Sequence, residues 1–279
     1  MNIRLKIEND NVPEIVSTIV MPEEKIKEIE TSTDAAIGFA RTITARYGKI
    51  EGEPPSYYRI MDGHKFKFDP NEPNAAMREI MNDFSLHGNY EPYSTKIAQL
   101  SIKEGDVAVD VGASHGYFTL LLARLVGPKG KVYSFEPTNN QFEYLKKNIE
   151  LNGYEDRVIA HRLGAWSSDK PHTLKINLGN SEAFPMKDLD SILPEKVDFI
   201  KIDCDGAEPE ILKGLERVVS KNPQLKMIIE YYPRYIENLG LNPQDMIDFL
   251  EKHYKDSYAK IEGDYTEDYY NFFCSKNTK

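Results

Sequence analysis

At 279 residues the chain is long for one compact domain and short for two, which predicts one core domain with an N-terminal extension. Apolar residues make up 40% and charged residues 29%, enough to build a soluble globular core without staples. The net charge of -10 argues against nonspecific nucleic-acid binding, and two lone cysteines, Cys204 and Cys274, exclude a disulfide framework and give no zinc-ligand spacing. Both cysteines fall in predicted strands and read as buried thiols. The first eleven residues carry Arg4, Lys6, Glu8 and Asp10 and lack the apolar centre of a signal peptide. No apolar run approaches the roughly 20 residues of a membrane span, so the expectation is a cytoplasmic chain without a membrane partner.

Residues 1–85 show no regular alternation of strands and helices. Pro22 with Glu23 and Glu24 is a helix start, and Ile26, Ile29, Ile37, Ala40 and Ile43 carry a helical spacing toward Gly48. Residues 57–68 read as a short hairpin or loop, and a further helix is expected over 75–84. This mainly helical extension leaves three roles open: lid, homodimer contact or specificity domain. From Tyr93 the rhythm changes. Strands are predicted at 107–111, 131–135, 158–163, 197–202 and 225–229. Helices are predicted at 117–125, 139–151 (closed by Asn152-Gly153), 208–219 and 243–254. Two short strands follow near 259–262 and 272–275. Such alternation predicts an α/β domain over 86–279 with a doubly wound, mainly parallel sheet. Ligands of such sheets bind beyond the carboxyl ends of the strands, so the chemistry belongs in the loops that follow them.

After the first strand comes Asp110-Val-Gly112-Ala113-Ser114-His115-Gly116. Glycines there permit a tight turn and close approach to a ligand, and the next helix points its amide end at the same place. The dinucleotide fingerprint prefers a third glycine that this loop lacks. After the second strand come Glu136 and Pro137, where a carboxylate about 20 residues past the last glycine accepts both hydroxyls of a ribose. Together the two motifs indicate an adenosine-containing ligand without choosing between S-adenosylmethionine and a nicotinamide cofactor. Gly164 and Ala165, after the third strand, are small enough to leave room for an adenine ring, and Trp166 reads as core. The fourth strand exits into Asp203-Cys-Asp205-Gly206-Ala-Glu208, with two carboxylates where a reacting centre belongs. The competing reading is structural: Asp205 or Glu208 capping the next helix. The fifth strand ends in Glu230-Tyr231-Tyr232-Pro233.

These stretches resemble the FkbM family of S-adenosylmethionine-dependent methyltransferases. The resemblance runs from about Gly88 to about Pro233 and rests on Asp110 to Thr119, Val132 to Pro137, Asn148 to Gly153, Phe199 to Glu208 with Leu212-Lys-Gly214, and Ile228 to Glu230. It implies a class I methyltransferase fold, a seven-stranded Rossmann-like sheet ending in an antiparallel hairpin, and O-methylation of sugar or natural-product hydroxyls. It also implies that Gly112 to Gly116 pass under the methionine part of the cofactor, Glu136 holds the ribose and Ala165 borders the adenine. Asp203 would lie near the cofactor's amino group or the acceptor. Asp205 stands where the family pattern commonly has glutamate.

Transfer from a sulfonium requires alignment, and a hydroxyl acceptor gains from a general base. Asp203, Asp205, Glu230 and His115 are candidate bases in that order, and Glu91 is a candidate to fold over the cofactor. Mg²⁺ held by Asp203, Asp205 and Glu230 is an alternative whose spacing is not diagnostic. The expected acceptor is a small molecule or glycan. The competing functions are an RNA or protein methyltransferase, a nicotinamide-dependent oxidoreductase and a non-catalytic adenosine-binding module. The aromatic tail, with Tyr254, Tyr258, Tyr265, Tyr269, Tyr270, Phe272 and Phe273, reads as edge-strand packing, with a sugar-lining role as the rival.

Overall fold

The computed structural model describes residues 57–59, 65–67, 90–168, 184–255, 257–264 and 269–276. The chain divides into two units, Met1–Pro92 and Tyr93–Lys279. In the first, β1 (Tyr57–Arg59) pairs antiparallel with β2 (Lys65–Lys67), a hairpin where the sequence left hairpin or loop open. The helices expected at 22–48 and 75–84 lie outside the described residues.

The second unit follows the expected alternation. After α1 (Pro92–Ser101) come β3 (Val107–Val111), α2 (Tyr117–Val126), β4 (Lys131–Phe135), α3 (Asn139–Asn152) and β5 (Val158–His161). A two-residue bridge joins β6 (Gly164–Ala165) to β7 (Met186–Lys187). Then come β8 (Phe199–Ile202), α4 (Glu208–Lys213), α5 (Glu216–Lys221), β9 (Lys226–Tyr231), α6 (Pro233–Asn238), α7 (Pro243–Tyr254), β10 (Tyr258–Asp264) and β11 (Tyr269–Ser275). Among the described residues the main sheet has seven strands in the order β10-β11-β9-β8-β3-β4-β5. Strands β5, β4, β3, β8 and β9 are parallel, and β11 runs antiparallel between β9 and β10. The order reverses at β3, between β4 and β8, and ligands bind at that switch.

Alternation sorts the side chains of each strand onto two faces. Val109, Val111, Ile200, Ile202, Met227 and Ile229 bury one face against Ile211 and Leu212 of α4, Val218 and Val219 of α5, and Met246, Phe249 and Leu250 of α7. The other face carries a buried polar row. Ser134, Asp110 and Lys201 sit at facing register positions of β4, β3 and β8, and Glu230 of β9 faces Asn271 of β11 two residues nearer the carboxyl edge.

Helix α1 is absent from the sequence reading, and three further details differ from it. The helix expected over 208–219 is broken into α4 and α5 at Gly214, where an added Cβ would stand 2.2 Å from the Trp166 carbonyl oxygen. The chain must bend there to clear β6. Helix α6 was not foreseen, although Pro233 is at its first turn, a favoured place for proline. Cys204 lies in the loop after β8 rather than in a strand and is half-buried, whereas Cys274 is a buried strand residue as read.

Candidate functional site

The loop after β3 is held from below. Gly112 and Ala113 both donate backbone N–H to the Phe135 carbonyl at 3.0 Å. Asp110 is buried and accepts from the Thr119 hydroxyl at 2.5 Å, and that hydroxyl also meets Ser134 Oγ at 2.9 Å. Asp110 thus ties β3 to the first turn of α2. Burial raises its pKa to about 6, although Thr119 and the charge of Lys201 pull it down. Gly112 takes φ 85°, and an added Cβ would lie 1.8 Å from the Asp203 carbonyl oxygen. The glycine is required because the loop crosses the exit of β8 in direct contact, a reason distinct from the ligand approach read in the sequence. Ser114 is left-handed at φ 48°, and Gly116 enters α2 at φ 97°. His115, a candidate base, is fully buried, with Nδ1 3.1 Å from Ser114 Oγ and its ring 4.9 Å from Tyr144.

Glu136 follows β4 and is buried. Its Oε2 accepts the Ser114 N–H at 2.9 Å, and its Oε1 accepts the Thr138 N–H and hydroxyl at 2.8 and 2.7 Å. These bonds fix the carboxylate between the glycine loop and the start of α3. Burial raises its pKa to about 7, opposed by the Thr138 and Ser114 bonds. Pro137 beside it is half-buried. Gly164 and Ala165 are buried in β6, and an added Cβ on Gly164 would stand 2.3 Å from Met186 Sδ. Protein fills that side of Gly164, and Ala165 and Trp166 belong to the core. His161, at the end of β5, stacks on Phe135 at 5.1 Å with an interplanar angle of 12°, beside the Glu136 turn.

The exit of β8 holds most of the charge. Lys201 is 1% exposed at its side chain, and its ammonium donates to Asp203 Oδ2 at 2.9 Å from a position 5.0 Å from the Phe118 ring. Asp203 is 29% exposed, so one side of the pair meets solvent. Asp205 takes φ 52° in the turn, a conformation that costs a non-glycine residue energy. Burial of its surroundings and the charge of Asp203 raise its pKa to about 6. Its surface is nevertheless exposed, so solvent screening makes that value an upper limit. Glu208 is fully buried, and its Oε1 accepts the Cys204 N–H at 2.8 Å, which closes the loop and gives Glu208 a structural role. Burial raises its pKa to about 8. Glu230 is 7% exposed, and burial with the charges of Asp203, Glu208 and Asp205 pushes its carboxyl well above the ordinary range. Among the described residues no group of three or more His, Cys, Asp or Glu is arranged to hold a metal ion. Glu91 is buried at φ 42° and belongs to the first unit.

The structure therefore brings Gly112, Ala113, Ser114, Gly116, Glu136 and the β8 and β9 carboxylates to the carboxyl edge of one sheet. Sequence reasoning missed Lys201 and weighed Glu208 only as a cap. A lysine inside the apolar run Phe199-Ile-Lys201-Ile202 was the available signal, since a lysine is seldom fully buried unless paired.

The strand order, the single antiparallel insertion and a buried acid after the second strand of the parallel set define a class I S-adenosylmethionine-dependent methyltransferase fold. Dinucleotide-binding sheets run on in parallel, so β11 argues against the oxidoreductase. Residues 110–256, just over half of the chain, match the family model described as the methyltransferase FkbM domain, and the chain belongs to that family. It is also 25% identical over 123 residues to a protein-L-isoaspartate O-methyltransferase of Methanococcoides burtonii, covering 44% of this chain and 48% of that protein. With the tRNA (adenine(58)-N(1))-methyltransferase catalytic subunit trmt61a of Dictyostelium discoideum it shares 31% over 70 residues, 25% of this chain and 22% of that one. The chain thus spans about half or less of the length of these curated relatives. The crystal structure of a methyltransferase FkbM from Methylobacillus flagellatus is similar at a TM-score of 0.47 and 19% identity, over 71% of this chain and 53% of that one.

Proposed function

We propose that the chain transfers a methyl group from S-adenosylmethionine to a hydroxyl of a sugar, glycan or other small molecule. The observation that carries this reading is Glu136, a buried carboxylate bonded to Ser114 of the glycine loop at 2.9 Å. It sits at the switch point, beside the loop that would pass under the methionine part. The residues present fit the group: the Glu136 carboxylate, fixed by Ser114 and Thr138, would hold the ribose hydroxyls, and the loop 112–116 would flank the methionine part.

The sulfonium supplies an activated methyl group. The chain's task is to hold the acceptor oxygen in line and remove its proton. Asp205 suits the second task, because it is open to solvent and its carboxylate, with a pKa no higher than about 6, is ionised at neutral pH. Lys201 donates to Asp203 Oδ2 at 2.9 Å and fixes that carboxylate in place, which suits Asp203 to orienting the acceptor or the cofactor's amino group. Glu230 stands behind them, its carboxyl pushed above the ordinary range by burial and the neighbouring acids. The protein and RNA acceptors of the two relatives are the second reading. The acidic carboxyl edge disfavours RNA.

The test is transfer itself. Protein incubated with ¹³C-methyl S-adenosylmethionine and a panel of glycosides should yield an O-methyl carbon signal on a sugar. Label appearing on protein carboxyls or on RNA instead would contradict the acceptor class.

A further inference from the structure

We infer that the first turn of α1 is a latch across the carboxyl edge of the sheet, fastened by two buried side-chain bonds, and that it releases for the cofactor to enter or leave. This rests on the methyltransferase reading above and adds how access to that site is controlled.

The place of the turn follows from its bonds and from the sheet register. Ser94 and Thr95 are neighbours on α1, both buried, and they face different elements. Ser94 Oγ accepts from Asn271 Nδ2 of β11 at 3.1 Å. Thr95 Oγ1 lies 3.3 Å from the Tyr117 hydroxyl, and Tyr117 opens α2 directly after Gly116. Asn271 pairs with Glu230, and Ile229 before it pairs with Ile202, so the Ser94 bond stands at the level of Asp203, where β8 ends. In the sheet, β9 and β8 lie between β11 and β3, the strand that leads into α2. A turn bonded to both sides therefore spans the exits of β8 and β9, beside the glycine loop.

The two ends of α1 are held by different forces. The side chains buried in the first turn are a serine and a threonine, while Tyr93 of the same turn is 64% exposed. The other end buries Ala98 and, just beyond the helix, Ile102. There Lys226 Nζ, at the start of β9, also donates to the Ser101 carbonyl at 3.1 Å. Apolar burial is lost outright when a helix lifts away, whereas hydroxyls released from a partner are taken up by water at little net loss. The carboxyl-terminal end is thus the anchor, and the first turn opens with little free energy, as elements with few buried apolar side chains do. The chain enters that turn through Glu91, whose φ of 42° is unfavourable for a non-glycine residue, and opening lets it relax. Lids over ligand sites are drawn from such weakly held elements.

The experiment uses the full chain and S-adenosylhomocysteine, with two readouts: amide hydrogen exchange along α1, and binding rates by stopped flow. In the free chain the amides of 96–98, whose helical bonds close the first turn, should exchange faster than those of 100–102. Saturating S-adenosylhomocysteine should slow the first set about tenfold or more. Ser94→Ala and, as a second variant, Thr95→Val each remove one fastening. Each should raise both the association and the dissociation rate constant about fivefold. Because the free and the bound chain lose the same bond, Kd should stay within about twofold. A merely structural helix would lower the melting temperature of these variants and leave both rates as they were. Unchanged rates in both folded variants, or exchange at 96–98 that bound S-adenosylhomocysteine does not slow, would overturn the inference while leaving the methyltransferase reading intact. Failure of S-adenosylhomocysteine to bind at all strikes the methyltransferase reading, and the inference with it.

Discussion

At Gly112 the backbone passes Asp203 so closely that a methyl group would lie 1.8 Å from a carbonyl oxygen, in a conformation that glycine alone adopts cheaply. Gly112→Ala should therefore displace both the glycine loop and the β8 exit. The expected loss of stability is about 3 kcal/mol, read by denaturant unfolding, and cofactor affinity should fall with it. A stable variant with unchanged affinity would refute this packing. Lys201 gives a second residue-scale prediction. Lys201→Met leaves the Asp203 charge without its partner and should cost about 2 kcal/mol, moderated by the partial exposure of Asp203. Adding Asp203→Asn should recover part of the loss, a non-additivity expected of contacting groups. The glycines and acids of the site were legible in the sequence, but the reason for Gly112 was not, because its contact partner lies 91 residues away in the chain. Lys201 escaped notice because a single charge inside an apolar run looks like an interruption until its partner is seen.

At the scale of elements, the turn after β4, the start of α4 and the end of β9 carry acids whose burial has a measurable consequence. Glu136 stands at about 7 and Glu208 at about 8, and Glu230 is also raised by burial. Between an acid's ordinary pKa and its raised one, the folded chain binds more protons than the unfolded chain, so stability rises as pH falls through that window. From pH 8.5 to pH 7 the melting temperature of the protein without cofactor should rise, by roughly 2–4 °C for each kcal/mol. Below that range His161 and His253, whose pKa values burial lowers, begin to oppose the trend. Glu136→Gln should flatten the slope. A melting temperature that falls between pH 8.5 and 7 would contradict the burial of these acids. Catalysis has its own signature: kcat should rise with pH through a midpoint no higher than about 6, and Asp205→Asn should lower kcat about 100-fold and abolish that limb. The strands and most helices of this unit were legible from periodicity. The break at Gly214 was not, since it is imposed by Trp166, a residue from a different loop.

At the scale of the molecule, the parallel strands followed from their alternation with helices. The antiparallel insertion of β11 did not, because its residues mark a strand and nothing local sets its direction. Family resemblance supplied that expectation, and the pairing of β11 with β9 agrees with it. The acceptor is harder to read than the cofactor for a physical reason. The proposed cofactor residues lie in short loops with fixed spacing, whereas the proposed acceptor-facing carboxylates come from the ends of β8 and β9, separate elements whose spacing is not fixed. A bound cofactor stabilises the folded state in proportion to its affinity, and at a hundredfold excess over Kd the gain is about 2.7 kcal/mol. Because Glu136 should be ionised to hold the ribose hydroxyls, the melting-temperature gain from S-adenosylhomocysteine should be larger at pH 8 than at pH 6. An equal gain at both would remove the Glu136 carboxylate from the binding account.

The central claim is that Glu136 and the loop 112–116 hold S-adenosylmethionine. Calorimetric titration of S-adenosylmethionine, S-adenosylhomocysteine and NAD into the wild-type chain and into Glu136→Ala tests it most directly. The account predicts binding of the first two, none of NAD, and a loss of about tenfold or more in the variant. Binding of NAD in their place, or affinities unchanged by Glu136→Ala, would contradict it.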